Sequence, residues 1–309
     1  MNTSSPLPRL ALIAGPTASG KSALALDLAE RHNGTIVNAD SAQVYRDLRI
    51  VTARPSPEDE ARVPHKLFGH IDAADTAHNV ARWAADARAA IDETLAEGRL
   101  PILVGGTGLY LRTLLDGIAP VPAIEPAIRD GARALPVAEA HRALAEVDPQ
   151  AAARLSPADT TRVARALEVV RSTGRTLADW QQTRTGGIAD RFDLRAAVLL
   201  PDRDWLDARI DARFSSIVAH GEGEVAALLA RTDVPADAPI RRAIGVPELA
   251  AFVRGETDRE TAAAAGALAT RRYAKRQYTW FRHQPPRAWL LLSGNDSIAR
   301  VNVMDRLLR

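Results

Sequence analysis

Apolar and polar positions along the chain follow two rhythms. Short apolar runs at 10–14 (Leu-Ala-Leu-Ile-Ala), 35–39 and 101–104 read as buried strands. Between them lie stretches with helical spacing. Residues 23–29 form one; in 79–97, Val80, Trp83, Ala84, Ala87, Ile91 and Leu95 fall on one face, and Gly98 ends the helix. Strands alternating with helices predict a parallel α/β sheet, with ligands outside the carboxyl ends of its strands. The character changes at the turn Pro120-Val121-Pro122. From there to Gly186-Gly187 the pattern predicts short helices at 125–135, 137–147 and 160–173, and no strand. Strand character returns at 195–201 and, after a mostly helical stretch with an alanine-rich helix at 261–269, at 288–292. The expected organisation is a core in two parts, 1–119 and 188–309, with a helical insertion domain at 120–187.

The first strand runs straight into Gly15-Pro16-Thr17-Ala18-Ser19-Gly20-Lys21-Ser22, a complete G-x-x-x-x-G-K-[ST] phosphate loop followed by a helix. Glycines let backbone N–H groups wrap an anion, and the helix start adds its positive dipole end. Lys21 supplies a point charge to a polyphosphate and Ser22 a hydroxyl to Mg²⁺. The fold expected is therefore a P-loop NTPase-like parallel sheet. Asp40 and Thr107 end the next two strand regions, so three segments converge on one sheet edge.

Composition narrows the setting. With 46% hydrophobic residues among 309, the chain can bury a sizeable core. No run approaches the roughly 20 apolar residues of a membrane span. The polar start, Met1 to Pro8, has no signal-peptide pattern. The absence of cysteine excludes disulfides and thiolate zinc sites and fits a cytoplasmic protein. The seven histidines show no metal-ligand spacing, and His65 and His70 read as structural or capping residues. Net charge is only +2, but its distribution matters. Arg271, Arg272, Lys275, Arg276, Arg282 and Arg287 occur with no intervening acid and with Tyr273, Tyr278, Trp280 and Phe281 among them. Such a stretch is either a solvated helix face or, with its aromatics, a surface for RNA or phosphate.

Several segments resemble one family. The phosphate loop, Asn38-Ala39-Asp40-Ser41-Ala42-Gln43-Val44-Tyr45-Arg46-Asp47-Leu48 and Gly105-Gly106-Thr107-Gly108-Leu109-Tyr110 are similar to those of tRNA dimethylallyltransferases. So are 162–169, Ser172-Thr173-Gly174-Arg175, Thr270-Arg271-Arg272-Tyr273-Ala274-Lys275-Arg276-Gln277 and Thr279-Trp280-Phe281-Arg282, in the same order. The phosphate loop is shared with many nucleotide enzymes; the Asp40 segment and the Ala-Lys-Arg-Gln block are more specific.

The resemblance implies transfer of a dimethylallyl group from dimethylallyl diphosphate to the exocyclic amine of an adenosine beside the anticodon, with Mg²⁺. The loop, Gly15 to Ser22, then holds the donor's diphosphate rather than ATP. Asp40 corresponds to the family's catalytic aspartate; by residue type alone it is equally an N-cap or a Mg²⁺ ligand. Thr107 corresponds to a threonine near the donor's bridging oxygen, the alternative being a loop hydroxyl bonded to its own backbone. Arg209 resembles a diphosphate-contacting arginine. Arg213 shares its helix face, so the assignment between them stays open. On the acceptor side, Asp40, Ser41, Ala42, Gln43 and Thr107 are the candidates to meet the base. Arg129, Thr161, Arg162, Arg165, Arg242, Arg271, Arg272, Lys275 and Arg276 are the candidates to hold the anticodon stem-loop. The chain departs from the family pattern in two places. Val51-Thr52 stands where Gly-Thr is common. Gly245-Val246-Pro247 stands where Gly-Tyr and a basic residue are common, in a segment expected to face RNA near Arg241 and Arg242. The lack of a cysteine-bearing zinc-finger extension fits the bacterial type, expected to be a monomer. Two other readings share the loop: a small-molecule kinase using ATP, and a nucleotide-gated RNA-binding protein without chemistry. A metabolite kinase does not need the basic aromatic block, and the second reading does not need Asp40 and Thr107 at the strand ends.

Overall fold

The computed structural model describes residues 6–309; the first five residues of the polar N-terminus lie outside the described residues. In chain order the elements are β1 (Arg9–Ala14), α1 (Lys21–Arg31), β2 (Gly34–Asn38), α2 (Pro57–Arg62), β3 (His65–Lys66), α3 (Val80–Ala96), β4 (Leu100–Gly105) and α4 (Gly108–Asp116). Next come α5 (Pro126–Ala134), α6 (Val137–Val147), α7 (Pro149–Arg154), α8 (Thr160–Thr173) and α9 (Leu177–Gln181). The chain then continues through β5 (Asp193–Leu199), α10 (Arg203–His220), α11 (Glu222–Ala230), α12 (Val246–Val253), α13 (Arg259–His283), β6 (Leu290–Leu292) and α14 (Ser297–Leu308). Two compact units result: residues 1–114 with 189–309, and Leu115–Ile188.

In the first unit six parallel strands stand in the order β3-β2-β4-β1-β5-β6. A parallel sheet is covered on both faces, which is why β1 is apolar at every position from Leu10 to Ala14 and fully buried there. One layer packs α1 and α14 on the sheet through Leu24, Leu28, Val301 and Met304. Asn79 starts α3 by accepting from the N–H groups of Ala81 and Arg82, one residue inside the predicted start. The alanine-rich stretch and the basic block form one continuous helix, α13, capped by Asp258. The sequence pattern did not mark α14.

The second unit is all-helical apart from a single bridge. Its chain ends pair: Ile118 and Thr185 exchange N–H···O bonds of 3.0 Å, and Ile188 N–H donates to Leu115 O at 3.1 Å. A Cβ on Gly187 would stand 2.6 Å from Leu115 O, and one on Gly117 2.5 Å from Thr185 O, so this close approach requires glycine. Ala140, Leu144, Ala151, Val163, Ala166 and Leu167 form its core. Glu168 lies in this unit with a fully buried carboxylate, which accepts from Arg165 Nη1 at 2.7 Å and Arg133 Nε at 3.2 Å.

A buried carboxylate depends on its cations. Removing both arginines (Arg133→Ala with Arg165→Ala) should destabilise this unit by about 2 kcal/mol, less than a fully buried pair because both arginines are partly solvated. Urea unfolding and hydrogen exchange of α8 amides check this. Exchange unchanged from wild type would mean that Glu168 is held by packing alone.

Candidate active site

The phosphate loop leaves β1 in a conformation that dictates its residues. Gly15 has φ +145°, and a Cβ there would lie 2.5 Å from Leu199 O on the neighbouring β5. Ala18 and Gly20 also have positive φ, 61° and 92°. The loop ends at Lys21, the first residue of α1, so unpaired N–H groups of the helix start face the cradle. Lys21 Nζ donates to Pro16 O at 2.5 Å. Burial pulls its pKa down to about 8, with Asp40 opposing and Arg213 adding to the shift. Ser22 lines the cradle beside it.

Arg209 and Arg213 both reach the phosphate loop from one face of α10. Arg209 Nε donates to Ala18 O at 3.0 Å. Arg213 reaches Thr17 Oγ1 and Thr52 O, each at 3.4 Å. Burial lowers the Arg213 pKa, Asp40 opposes this, and Arg209 contributes further lowering.

Asp40 caps no helix, because none follows until α2. Its Oδ1 accepts from Ala42 N–H at 3.0 Å, an Asx turn, and its own N–H donates to Asn38 Oδ1 at 2.8 Å. Asn38 is fully buried and fixes the turn further by donating to Asp40 O and Leu67 O, both at 3.0 Å. Thr107 does not fold back on its own backbone. Its Oγ1 accepts from Ser41 N–H at 3.0 Å and donates to Ser41 Oγ at 3.2 Å, tying the ends of β4 and β2 together. Gly105 makes that contact possible, since a Cβ there would stand 2.1 Å from Ala39 O. Gln43 Nε2 donates to Thr52 O and Ala53 O, at 3.0 and 2.9 Å.

Two cavities meet at this turn. One, about 320 Å³, is the cradle with Lys21, Ser22, Gln43 and Arg209. The other, about 450 Å³, has an apolar wall of Val51, Ile210, Phe214 and Ile217 and a polar wall of Ser41, Tyr45, His78, Tyr110 and Tyr273. Thr17, Asp40, Thr52 and Arg213 line both. Ala42 and Arg242 also border the larger chamber. Burial, then the Asp40 charge, pushes the Tyr273 phenol well above its usual range. Burial does the same to Tyr110, with Tyr45 and Asp40 contributing. Both phenols stay protonated; the Tyr110 hydroxyl lies 3.5 Å from His78 Nε2, and that of Tyr273 is hydrogen-bonded to Thr107.

The basic residues divide. Arg272, Lys275 and Arg276 are exposed along α13, and Arg276 lies over the Tyr273 ring at 5.5 Å, at the edge of the chamber. Arg271 is ion-paired to Asp211. Arg242 donates to Asp237 O at 3.0 Å. Arg129, Thr161, Arg162 and Arg165 belong to the second unit. There Arg162 pairs with Asp159 at 3.2 Å, and Arg165 is committed to Glu168. Gly245-Val246-Pro247 is not an exposed loop: Val246 is buried at the start of α12. Val51 is buried on the chamber wall, close against the backbones of Gly221 and Gly245. His65 caps no helix; its Nδ1 lies 2.9 Å from Val63 O.

Sequence reasoning missed three contributors. Gln277 bridges the two loops: Thr17 N–H donates to its Oε1 at 2.9 Å, and its Nε2 donates to Gly106 O at 2.8 Å. Glu224 accepts from the consecutive N–H groups of Arg49, Ile50 and Val51 at 2.8–3.1 Å and so holds the segment that ends in Thr52. Arg300 donates from Nη1 to Ser19 O at 2.9 Å. Gln277 stood inside a recognised block but had no partner visible in sequence; the other two lay in no motif.

Comparison with known proteins adds to this geometry. A family described as IPP transferase matches residues 43–284, and one described as isopentenyl transferase matches residues 8–64. The tRNA dimethylallyltransferase of Sphingopyxis alaskensis is 65% identical over 91% of this chain and 92% of its own length. That of Erythrobacter litoralis is 57% identical over 91% and 90%. The crystal structure of the full-length tRNA isopentenylpyrophosphate transferase of Bacillus halodurans superposes with TM-score 0.68 at 32% identity, over 97% of this chain and 96% of that one. A eukaryotic dimethylallyltransferase acting on tRNA superposes with TM-score 0.76 at 26% identity, over 89% and 70%. With a family match spanning most of the chain and close relatives along nearly its whole length, the chain belongs to the tRNA dimethylallyltransferase family.

Proposed function

We propose that this chain transfers a dimethylallyl group from dimethylallyl diphosphate to the exocyclic N6 amine of the adenosine adjacent to the anticodon in tRNA, releasing diphosphate. The observation that carries the reading is the junction at Asp40, where an anion cradle opens into a chamber with one apolar and one phenolic wall. The cradle takes the diphosphate and the apolar wall suits the prenyl chain. The amine of an adenine removed from its stack enters from the chamber side. As nitrogen bonds to the allylic carbon, the carbon–oxygen bond breaks. The leaving diphosphate gains charge against the loop N–H groups, Lys21 and Arg213. Asp40 orients the amine and accepts its proton. Thr107, tied to Ser41, is assigned to the bridging oxygen. Arg209 supports the cradle through Ala18.

The Ser22 hydroxyl offers a hard oxygen donor of the kind Mg²⁺ takes. Among the described residues no cluster of three or more His, Asp or Glu could hold a metal ion, which suits a cation bound largely through ligand phosphates. Mg²⁺ there would neutralise charge on the leaving group. On the RNA side, exposed Arg272, Lys275 and Arg276 fit the phosphates of the anticodon stem-loop, as do Arg129, Thr161 and Arg162 of the second unit. Among the described residues no helix is long and apolar enough to cross a membrane, in keeping with a cytoplasmic enzyme of tRNA.

The direct test weighs unmodified tRNA after incubation with the protein, Mg²⁺ and dimethylallyl diphosphate. A gain of one C₅H₈ unit is expected. No gain, with ADP formed from ATP and a small metabolite instead, would identify a kinase.

In the same assay Asp40→Asn should lower turnover by about 100- to 10,000-fold, the range for a positioned general base. Affinity for tRNA and donor should be kept. A loss of donor affinity that extra Mg²⁺ restores would reassign Asp40 as a metal ligand, and near-normal turnover would remove it from the chemistry.

Lys21 gives a pH signature. Its free-state pKa near 8 means that it is charged below that pH and neutral above it. An anionic donor favours the charged form, so binding above about pH 8 takes up a proton. Donor affinity should then fall towards tenfold per pH unit. Lys21→Arg, which stays charged, should flatten the profile. A wild-type profile as flat as that of the arginine variant would exclude Lys21 as the titrating group.

A further inference from the structure

Arg300 reaches the phosphate loop from α14, and nothing in the reaction described above uses it. It is only 6% exposed. Its Nη1 donates to Ser19 O and its Nε to Gly294 O at 2.7 Å, while Nη2 is buried with no partner. Ser19 Oγ is likewise buried and unpartnered. The guanidinium lies 5.7 Å from the Trp205 ring centre. The same ring carries Arg209, at 4.7 Å, whose Nε holds the adjacent carbonyl of Ala18. Two arginines thus share one indole and grip successive carbonyls of the loop. Burial and then the Arg209 charge lower the Arg300 pKa, and no carboxylate opposes them.

A buried charge is costly unless it is paired. An indole face and two carbonyls solvate a guanidinium in part but do not neutralise it. The missing counter-charge would arrive with the ligand, because the loop that Arg300 grips forms the anion cradle.

We propose that Arg300 is a positioning residue for the donor. Its uncompensated guanidinium, packed against Ser19 and Trp205, takes the diphosphate held in the loop as its counterion. It thereby sets the affinity for the donor and for released diphosphate without touching either. This rests on the reading that the loop holds a diphosphate.

The test compares the full chain with Arg300→Met and Arg300→Lys. Melting temperature is measured with and without inorganic diphosphate and Mg²⁺. KM for dimethylallyl diphosphate, kcat, inhibition by diphosphate and affinity for tRNA are also measured. Arg300→Met removes an unpaired buried charge but also strips the Ser19 and Gly294 carbonyls of their donor, so its melting temperature without ligand does not decide between the roles. Its diphosphate-induced rise in melting temperature should shrink. KM and the inhibition constant should increase about tenfold, the scale of one poorly screened charge acting on a polyanion. Changes in kcat and tRNA affinity should stay within about threefold. Arg300→Lys keeps the charge and loses the two-carbonyl grip, so it should bind diphosphate nearly as wild type does. A purely structural arginine predicts instead that the diphosphate-induced rise is retained in full in Arg300→Met. That result would overturn the inference. If Arg300→Met does not fold, Arg300→Lys decides alone, since tenfold weaker diphosphate binding with the charge retained overturns it too. A wild type that diphosphate fails to stabilise would overturn the donor-site reading and this inference together; a stabilised wild type with an equally stabilised Met variant would overturn only the inference.

Discussion

A single side-chain amide joins the two halves of the site. Gln277 accepts from Thr17 in the phosphate loop and donates to Gly106 at the end of β4, and it is almost wholly buried while doing so. Satisfying both ends of one amide fixes the distance between two loops that belong to different strands. Losing it would strand the buried Gly106 carbonyl, at a cost of about 1–3 kcal/mol, and leave the part-buried Thr17 N–H without its acceptor. The geometry leaves little slack: a Cβ on Gly106 would lie 2.3 Å from Gln277 Nε2, and one on Gly108 2.5 Å from the Trp280 ring. The cradle is therefore rigid because α13 lies against it, and α13 can lie against it because residues 106 and 108 have no side chain.

The same helix links the site to its surroundings. Its buried face carries Gly266, Ala267, Ala274, Gln277 and Phe281, at the spacing of a helix stripe. Gly266 receives the Phe214 ring so closely that a Cβ there would stand 1.8 Å from it, which seats Phe214 on the apolar wall of the chamber. The opposite side carries Arg272, Lys275 and Arg276. The basic block was legible as a block, but its division into structural and solvent-facing residues was not. Arg271 looks like its neighbours in sequence, yet its partner Asp211 is sixty residues earlier. Arg165 belongs to a motif, yet it is drawn to Glu168 three residues along its own helix.

What could be read from the sequence is what local chemistry decides. The phosphate loop, the strand ends at Asp40 and Thr107, and α5, α6 and α8 of the second unit follow from glycine placement, periodicity and capping within a few residues; the pattern did not mark the short α7 and α9. β1, β2, β4, β5 and β6 appeared within one or two residues of their predicted bounds because burial on both faces favours apolar runs, whereas the two-residue β3, with the polar pair His65 and Lys66, has no such run. What could not be read depends on partners far apart in the chain: Arg300 with Ser19, Glu224 with the 49–51 amides, and Gln277 with Thr17. α14 carries helically spaced apolar residues, Val301, Met304 and Leu308, but its buried face also includes a charged residue, Arg300, which a hydrophobic pattern counts as exposed.

A phosphate loop is usually associated with phosphoryl transfer, but nothing in its physics requires that. Its N–H groups, its lysine and the helix dipole complement a polyphosphate, whether that group is attacked or leaves. Around this loop the charges are unbalanced: Lys21 and Arg213 each feel Asp40 and a neighbouring cation, while Arg300 feels only Arg209. Such a cradle favours an anion as its counter-charge, whatever chemistry follows. The chemistry is decided on the other side of Asp40. A phosphoryl acceptor would need a polar slot for a hydroxyl beside the terminal phosphate. Here the cradle opens instead onto Val51, Ile210, Phe214 and Ile217, facing two buried phenols that remain protonated. In the proposed reaction an apolar group joined to the anion lies along the first wall, a flat heteroaromatic base meets the second, and the carboxylate between them takes the proton that the amine loses as the two join.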